Sequence, residues 1–254
     1  PRRQFPHRPY PRRRWTRREP RKMKLCVPPS DAAALKCLAA ARTGSVAVEY
    51  VAAGLDEGFS AEIEAGVTVG ASGALRYIAT TGAAASQLYP IATRPAVAAR
   101  IDSWVEFSIT TLDPDAALWS PARAAHASPG ERDAARARLD RTLAALNSHL
   151  ASHKFLVGDG LTLADVAVVG SLAGLMRLVL GAKARSAFPN IVRWYMDCVT
   201  HEGGAFAVLG GADRSALLCA AAGDAWEVPA ADAAVFPAPG GGSSGSGGEG
   251  GSRD

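Results

Sequence analysis

Cysteine is scarce in this 254-residue chain, and its four copies are scattered. None of them shows the C-x-x-C spacing of a zinc site, and they are too few for a framework of disulfides. We therefore expect reduced thiols and a cytoplasmic setting. Nearly half of the residues (48%) are apolar, so the chain is long enough to bury a sizeable core.

Long apolar runs are missing as well. No uninterrupted apolar segment approaches the ~18 residues that a membrane-spanning helix needs. The opening residues also lack the order of a secretory leader, in which an apolar stretch follows a basic one. The sequence thus predicts a soluble protein that has no membrane partner.

Acidic residues are nearly absent from the start of the chain. Residues 1–24 hold eleven arginines and lysines but a single acid, Glu19. The remainder carries 17 bases and 23 acids, so the basic isoelectric point of about 9.1 reflects the N-terminal extension. For the folded body, the charge gives no support to nucleic-acid binding.

Residues 1–22 have the composition of a disordered extension, because nine arginines and five prolines occur without apolar periodicity. Two interpretations stay open. The extension can be an arm that holds RNA phosphates, with Trp15, Tyr10 and Phe5 stacking on bases. Alternatively, it is sequence upstream of a natural start at Met23, or an uncleaved targeting piece.

From residue 23 onwards, short β-branched segments alternate with helical ones. Strands are predicted at 24–27, 46–51 and 67–70. One helix follows the caps Ser30 and Asp31 and stops at Gly44, and another covers about 73–79. This β-α-β arrangement with a further strand and helix indicates a small α/β unit, which we assign to residues 23–90.

The rest of the chain is helical by periodicity. Helices are predicted from Pro95 and at 131–153, 162–180, 189–201 and 212–222. In the second of these, one apolar stripe is formed by Leu139, Leu143, Leu146 and Leu150. We assign residues 91–222 to a helical part and the Gly-, Ser- and Pro-rich residues 223–254 to a disordered linker.

The segment LTLADV gives the most specific local signal. Thr162 is placed to cap a helix whose third residue is Asp165, so that each side chain can bond the other's backbone N–H. The helix behind it, VAVVGSLAGL, is apolar on nearly all sides and must be buried. Since a buried helix end needs partners for its first N–H groups, we interpret Asp165 as a structural acid.

Several segments resemble known sequences. KFLVGDGLTLADVAV, followed by FPNIVRWYMD and preceded by ASGALRYIATT and RIDSWVEF, resembles the glutathione-transferase (GST) fold over roughly residues 23–222. Together with MKLCVPPSD, these blocks are most similar to the N-terminal domain of plant and algal cytosolic glutamyl-tRNA synthetases. The resemblance implies an α/β part that is a smaller version of the thioredoxin fold. This part packs on an all-helical part, and both ends of the chain are expected to be disordered.

Three elements anchor glutathione in the transferases that this sequence resembles. The first is a Ser, Tyr or Cys after the first strand, and Ser30 is the sole candidate. The second is a cis-proline, but residues 30–89 contain no proline. The third is an acid–serine pair, where Ser72 is present and Ala71 replaces the acid. We therefore expect no catalytic residue and no cofactor, and the alternative is a divergent glutathione transferase that uses Ser30 and Ser72.

Aminoacylation by these residues is not expected either. Class I synthetases position the phosphates of ATP with HIGH-like and KMSKS-like motifs, and neither occurs. A nucleotide-binding domain also needs a larger α/β unit than this sequence offers. We expect a catalytic body, if there is one, beyond Asp254.

Two further pairs of residues have a spacing that can form a site. His149 and His153 are four residues apart, a spacing that can bind zinc, but no third ligand is identifiable, so we expect no metal. Arg193 and Asp197 lie one helical turn apart. They either form an ordinary exposed ion pair or offer the charged fork with which related modules dock a partner.

The resemblance as a whole implies a non-catalytic docking module of a glutamyl-tRNA synthetase. The expected partner is another GST-like protein, such as a synthetase, an elongation-factor subunit or a tRNA-binding cofactor. The module would assist aminoacylation by reaching tRNA indirectly, through that partner, or through the basic N-terminal extension.

Overall fold

The computed structural model describes residues 23–27, 31–53, 58–64, 66–202, 204–209, 217–218 and 226. The predicted N-terminal extension, nearly all of the predicted linker and most of the helix predicted at 212–222 lie outside these residues. Among the described helices, none has both the length and the apolar character that a bilayer span needs.

The described strands form one sheet in the order β2-β1-β3-β4. Strand β1 (Met23–Val27) pairs in parallel with β2 (Val48–Ala52) and antiparallel with β3 (Ser60–Glu64). Strand β4 (Val67–Val69) pairs antiparallel with β3 at the edge. Because parallel neighbours need a crossover, helix α1 (Ala32–Gly44) connects β1 to β2.

Strand β1 lies inside the sheet, between β2 and β3, and its side chains alternate between core and solvent. Met23, Leu25 and Val27 are buried, whereas Lys24 is exposed.

Strand β3 corrects the sequence-based prediction, which has no strand between residues 51 and 67. Of its residues, Ala61 is buried, and Glu62 lies 3.9 Å from Lys24 of β1. In the segment SAEIE, two apolar residues alternate with two acids. This alternation is too short to predict a strand from the sequence. Strand β2 lies two residues later at its start than predicted.

The helices follow the sheet. Helix α2 spans Ala71–Thr81, and the helices after it are α3 (Ala85–Leu88), α4 (Pro95–Phe107), α5 (Asp113–Ala117), α6 (Pro121–Ala124), α7 (Pro129–His149), α8 (Leu163–Gly174), α9 (Ala182–Ser186) and α10 (Pro189–Val199). One π-helical turn (Ser108–Leu112) continues α4, another (Leu175–Val179) continues α8, and a 3-10 turn covers Ala207–Leu209.

Helix α7 begins earlier and ends earlier than its periodicity predicts. Ser128 caps it, because the Ser128 hydroxyl accepts from the Glu131 N–H at 3.3 Å and the Glu131 carboxylate accepts from the Ser128 N–H at 2.9 Å. The helix therefore starts at Pro129, and it ends at His149. The leucine stripe predicted for this helix is buried throughout.

Helix α8 is the centre of the molecule. Every residue from Leu163 to Ala173 is buried, as its apolar sequence predicts. The helix packs against α1 on one side and against α4 on another, so one core joins the α/β part to the helical part.

Candidate functional site

Ser72 belongs to a polar network that ties α2 to α4. Its hydroxyl accepts a hydrogen bond from the Arg76 guanidinium. The Arg76 Nε donates to Asp102 Oδ1 at 2.7 Å, and the Tyr89 hydroxyl donates to Asp102 Oδ2 at 2.8 Å. The hydrogen bond to Asp102 raises the pKa of Arg76. The serine of the alternative interpretation is thus engaged within the fold.

The alternative interpretation as a glutathione transferase also relies on Ser30, which precedes α1 in the sequence. Ser30 lies outside the described residues. The next residue, Asp31, caps the helix, because its Oδ1 accepts from the Ala33 N–H at 2.6 Å. Burial raises the pKa of Asp31, and its backbone hydrogen bonds oppose that rise.

Asp165 accepts four hydrogen bonds while it is fully buried. Its Oδ2 accepts from the backbone N–H and the hydroxyl of Thr162, both at 2.9 Å. Its Oδ1 accepts from the Leu156 N–H and the Trp194 indole N–H, again at 2.9 Å. Burial raises the pKa of Asp165, and these bonds oppose the rise. A carboxylate committed to four donors has little capacity left for proton transfer.

The structure places Thr162 and Asp165 together at the start of α8, as the spacing predicts. The contacts with Leu156 and Trp194 escaped sequence reasoning, because these donors come from a loop and from α10. In the sequence, the FLVG and RWY segments on either side of the capping signal are the only indication of these two contacts.

Arg193 does more than pair with Asp197. The two side chains are both about two-fifths exposed and lie 3.7 Å apart. The Arg193 guanidinium also donates to the carbonyl oxygens of Leu150 at 2.8 Å and His153 at 3.1 Å. It therefore caps the C-terminal end of α7, which leaves Asp197 as the freer member of the pair.

The imidazole rings of His149 and His153 stack on each other. Their ring centroids lie 4.3 Å apart and their planes are nearly parallel. His149 Nε2 is 3.3 Å from the Leu156 carbonyl oxygen, and His153 Nδ1 is 2.8 Å from the His149 carbonyl oxygen. Within the described residues, no group of three or more metal-binding side chains is present.

A cleft of about 510 Å³ opens between α4 and α7, and we refer to it as the α4–α7 cleft. Trp104 and Phe107 of α4 and Ala145 and Leu146 of α7 give it mostly apolar walls. Trp104 meets Phe107 edge-on at 5.4 Å and contacts the His149 ring at 5.0 Å. Trp104 is only half-buried because it lines this cleft.

Arg141 stands at the rim of the α4–α7 cleft. The other arginines of α7 have partners: Arg132 donates to the carbonyls of the preceding turn, Arg136 lies 3.7 Å from Asp140, and Arg138 binds the Asp115 carboxylate at 2.5 Å. Arg141 is exposed and makes no hydrogen bond or ion pair with any described residue.

Lys36 is a buried lysine between the two parts of the molecule, and sequence reasoning missed it. Its ammonium lies 2.5 Å from Asp113 Oδ2 and donates to the Ser108 hydroxyl at 3.3 Å. Burial lowers the pKa of Lys36, and the Asp113 charge opposes that change. A single lysine in an alanine-rich helix looks solvent-exposed in sequence, and only the packing on α8 shows otherwise.

Comparison with known proteins identifies this architecture. A family model described as "Glutathione S-transferase, C-terminal domain" matches residues 115–202. A delta-class glutathione transferase of Nilaparvata lugens superposes with a TM-score of 0.58 and 21% identity, covering 72% of this chain and 90% of that one. The chain has a GST-like fold. The predicted fold class is therefore confirmed, with a four-stranded sheet and the helical domain of that fold.

The GST-like fold of this chain also resembles parts of an elongation factor. The GST-like domain of elongation factor 1-gamma from Saccharomyces cerevisiae superposes with a TM-score of 0.62 at 15% identity, covering 78% of this chain and 98% of that one. Elongation factor 1-gamma of Rattus norvegicus is 36% identical over 107 residues, which are 41% of this chain and 24% of that protein. The chain thus spans about a quarter of the length of the curated relatives it matches.

Proposed function

We propose that this chain is a non-catalytic GST-like docking module of the translation machinery. It acts in the cytoplasm and pairs with another GST-like protein, such as a synthetase, an elongation-factor subunit or a tRNA-binding cofactor. The observation that carries this proposal is the 36% identity over 107 residues with elongation factor 1-gamma. The similarity in fold to the GST-like domain of that factor supports it.

The α/β part supports a role without glutathione chemistry. Residues 30–89 contain no proline, and Ala71 stands where the transferases have an acid. The Ser72 hydroxyl accepts from Arg76, which is itself paired with Asp102. Binding of a glutathione γ-glutamyl group at Ser72 would have to compete with this network.

The finer form of the proposal is that the module belongs to a glutamyl-tRNA synthetase and assists tRNA aminoacylation. The sequence blocks from MKLCVPPSD to FPNIVRWYMD support it. If this finer form is right, the full-length transcript should encode a class I nucleotide-binding domain with a HIGH-like motif. A transcript that instead encodes the remainder of an elongation factor contradicts this finer form and leaves the docking role in place.

The Arg193–Asp197 pair is one proposed docking element. Its exposed carboxylate is free to accept from a partner's arginine, while Arg193 holds the end of α7. The chain contains a matched exposed pair, Arg136–Asp140, with the same 3.7 Å separation and the same four-residue spacing.

Affinity capture tests the docking role. The full chain is immobilised in an extract of the source cells, and the retained proteins are identified by mass spectrometry. We expect a synthetase, an elongation-factor subunit or a tRNA-binding cofactor to be enriched. Asp197→Asn should weaken its capture several-fold, and the control Asp140→Asn should not. Enrichment of no translation protein would refute the proposal.

A divergent glutathione transferase is the second candidate. The superposition on solved glutathione transferases favours it, and Ser30 and Ser72 are its candidate residues. Retention of the chain on glutathione resin, with elution by free glutathione and loss in the Ser72→Ala and Ser30→Ala variants, would establish this candidate. Passage of the wild-type chain through the resin excludes it at the concentrations used.

A further inference from the structure

The chain contains two Ser-Pro dipeptides, Ser120-Pro121 and Ser128-Pro129, and no Thr-Pro dipeptide. A serine before a proline is the substrate of proline-directed protein kinases, which transfer the γ-phosphoryl group of ATP to the serine hydroxyl. Both serines have the extended backbone that a residue before proline prefers, with φ and ψ of −73° and 153° at Ser120 and −64° and 154° at Ser128. Backbone conformation alone therefore does not distinguish the two dipeptides.

Ser120 is held in place by the core on both sides. It follows the buried Trp119 and precedes the buried Ala124, and its hydroxyl donates to the Ala117 carbonyl oxygen at 2.8 Å. A kinase that binds this segment in an extended form would have to pull Trp119 out of the core. That opening is costly, because an aromatic ring buries a large apolar surface.

Ser128 lies in a stretch without such anchors. None of residues 125–134 is buried, and the nearest core residues along the chain are Ala124 and Ala135. The first turn of α7 can therefore open without moving a core side chain, and Gly130 in that turn favours the opening because glycine is a poor helix former. Ser128 itself is exposed, so the opened segment presents its hydroxyl to an enzyme.

We propose that Ser128 is a phosphorylation site of the folded chain, modified by a proline-directed kinase. The Ser128 Oγ attacks the γ-phosphorus of ATP, the bond from that phosphorus to the bridging oxygen breaks, and ADP leaves. The hydroxyl proton passes to a carboxylate of the kinase. The site is independent of the proposed docking role, because the 21 residues of α7, about 30 Å at 1.5 Å each, separate it from Arg193.

The start of α7 has donors that can bind the added phosphate. The Glu131 N–H lies 3.3 Å from the Ser128 Oγ. The Arg132 guanidinium reaches back over the preceding turn, where its Nη1 donates to the carbonyl oxygens of Ala124 and Ala127. Its Nη2 and Nε bond no other described residue, so they can donate to phosphate oxygens while Nη1 keeps the turn in place.

The same phosphate would displace the present cap of α7. The Glu131 carboxylate accepts from the Ser128 N–H at 2.9 Å and from the Ser128 hydroxyl at 2.7 Å. Phosphorylation removes that hydroxyl proton and places about two negative charges beside the carboxylate. Glu131 therefore stabilises the unmodified chain and repels the phosphate of the modified one.

The first experiment incubates the full chain with ATP and a mitogen-activated protein kinase and locates the phosphate by mass spectrometry. We expect phosphorylation of Ser128 to be at least about tenfold faster than that of Ser120, because the rate follows the population of the locally opened form. A synthetic peptide of residues 114–134, which lacks the packing of Trp119, should be modified at both serines. Ser128→Ala should remove the phosphate, and Ser120→Ala should leave its incorporation unchanged.

Two results of this experiment would overturn the proposal. One is the absence of phosphate at Ser128 of the folded chain, whatever the peptide shows. The other is faster modification of Ser120 than of Ser128 in the folded chain. Neither result depends on capture of a translation protein, so the proposed docking role stands or falls separately.

The second experiment compares thermal unfolding of the unmodified and phosphorylated chains. Glu131→Ala should lower the midpoint of the unmodified chain by about 2–4 °C, the effect of losing a helix cap. It should leave the midpoint of the phosphorylated chain unchanged or raise it. The control Asp133→Ala removes the same charge from an exposed position of the same helix and should shift both forms alike. Equal lowering of both midpoints by Glu131→Ala would refute the exchange of caps.

Discussion

At the scale of single residues, Asp165 links three segments of the chain. Its two oxygens accept from the loop residue Leu156, from Thr162 at the start of α8 and from Trp194 on α10. Each donor would be buried without a partner if the carboxylate were lost. The residue therefore acts as a structural centre of the helical part.

Asp165→Asn is expected to lower the free energy of unfolding by about 2–3 kcal/mol. The substitution keeps the shape but turns one oxygen into an NH₂ group, which must face either the Thr162 donors or the Leu156 and Trp194 donors. Chemical unfolding followed by circular dichroism measures the change. Asp159→Asn, at an exposed position of the same loop, should have almost no effect.

Lys36 makes stability depend on pH in an unusual direction. Burial lowers its pKa in the folded state, so between that pKa and the unfolded value of about 10.4 the unfolded chain binds more protons. The contribution of Lys36 to the free energy of unfolding therefore rises with pH across this window. Below the window, both states are protonated and the contribution is constant.

We expect the stability of the wild type, relative to that of Lys36→Met, to increase as the pH is raised toward about 10. The stability of the wild type is measured relative to the variant because Cys37 and Tyr195 have the opposite effect on the pH dependence. Burial raises the pKa of each of these groups. Both proteins contain these groups, so their effect largely cancels. Urea unfolding of the two proteins at several pH values gives the result, and a constant difference would contradict it.

At the scale of elements, the contact between α1 and α8 depends on a missing side chain. A Cβ atom at Gly170 would lie 2.3 Å from Cγ of Lys36, far inside van der Waals contact. Because Lys36 is fully buried and held by Asp113, its stem has no free direction in which to move. Glycine at this position lets the two helices approach.

Gly170→Ala should therefore destabilise the protein by about 1–3 kcal/mol, despite alanine's better helix propensity. Gly130→Ala in the first turn of α7 is the matched control, because nothing lies within 4 Å of an added Cβ there. That change should be neutral or stabilise by up to ~1 kcal/mol. Thermal unfolding of both variants distinguishes overpacking from propensity.

The sequence predicted elements where local chemistry decides the structure. The period of α7, the apolar character of α8 and the Thr162–Asp165 spacing each lie within one short segment. The segment of β3 has too few apolar residues to show its alternation, and its strand forms because β1 offers a free edge. The burial of Lys36 and the openness of the α4–α7 cleft depend on distant helices, so no local pattern contains them.

At the scale of the whole molecule, the last residue that the structure describes, Trp226, packs against the helical part. Trp226 is nearly buried, and its ring lies 5.0 Å from that of Trp119. The Arg136 guanidinium lies 5.6 Å from the centroid of the Trp226 ring. The backbone of Trp226 pairs with that of Leu180. Trp226 thereby contacts residues that come from three separate segments.

Trp226→Ala is expected to lower the free energy of unfolding by about 2–3 kcal/mol, because it uncovers Trp119 and removes the cation–π contact. Trp226→Phe keeps an aromatic ring in place and should cost less than half as much. Differential scanning calorimetry of the two variants provides the comparison. Equal losses would show that ring size, rather than aromatic packing, determines the contact.

The fluorescence of two described tryptophans, Trp194 and Trp104, should respond to different events. Trp194 is fully buried with its N–H bonded to Asp165, so its light emission changes only when the fold itself opens. Trp104 faces the α4–α7 cleft and is partly exposed, so its fluorescence should shift to shorter wavelength whenever another molecule covers the cleft. A Trp104→Phe variant isolates the second signal, which gives the protein a label-free optical probe of occupancy.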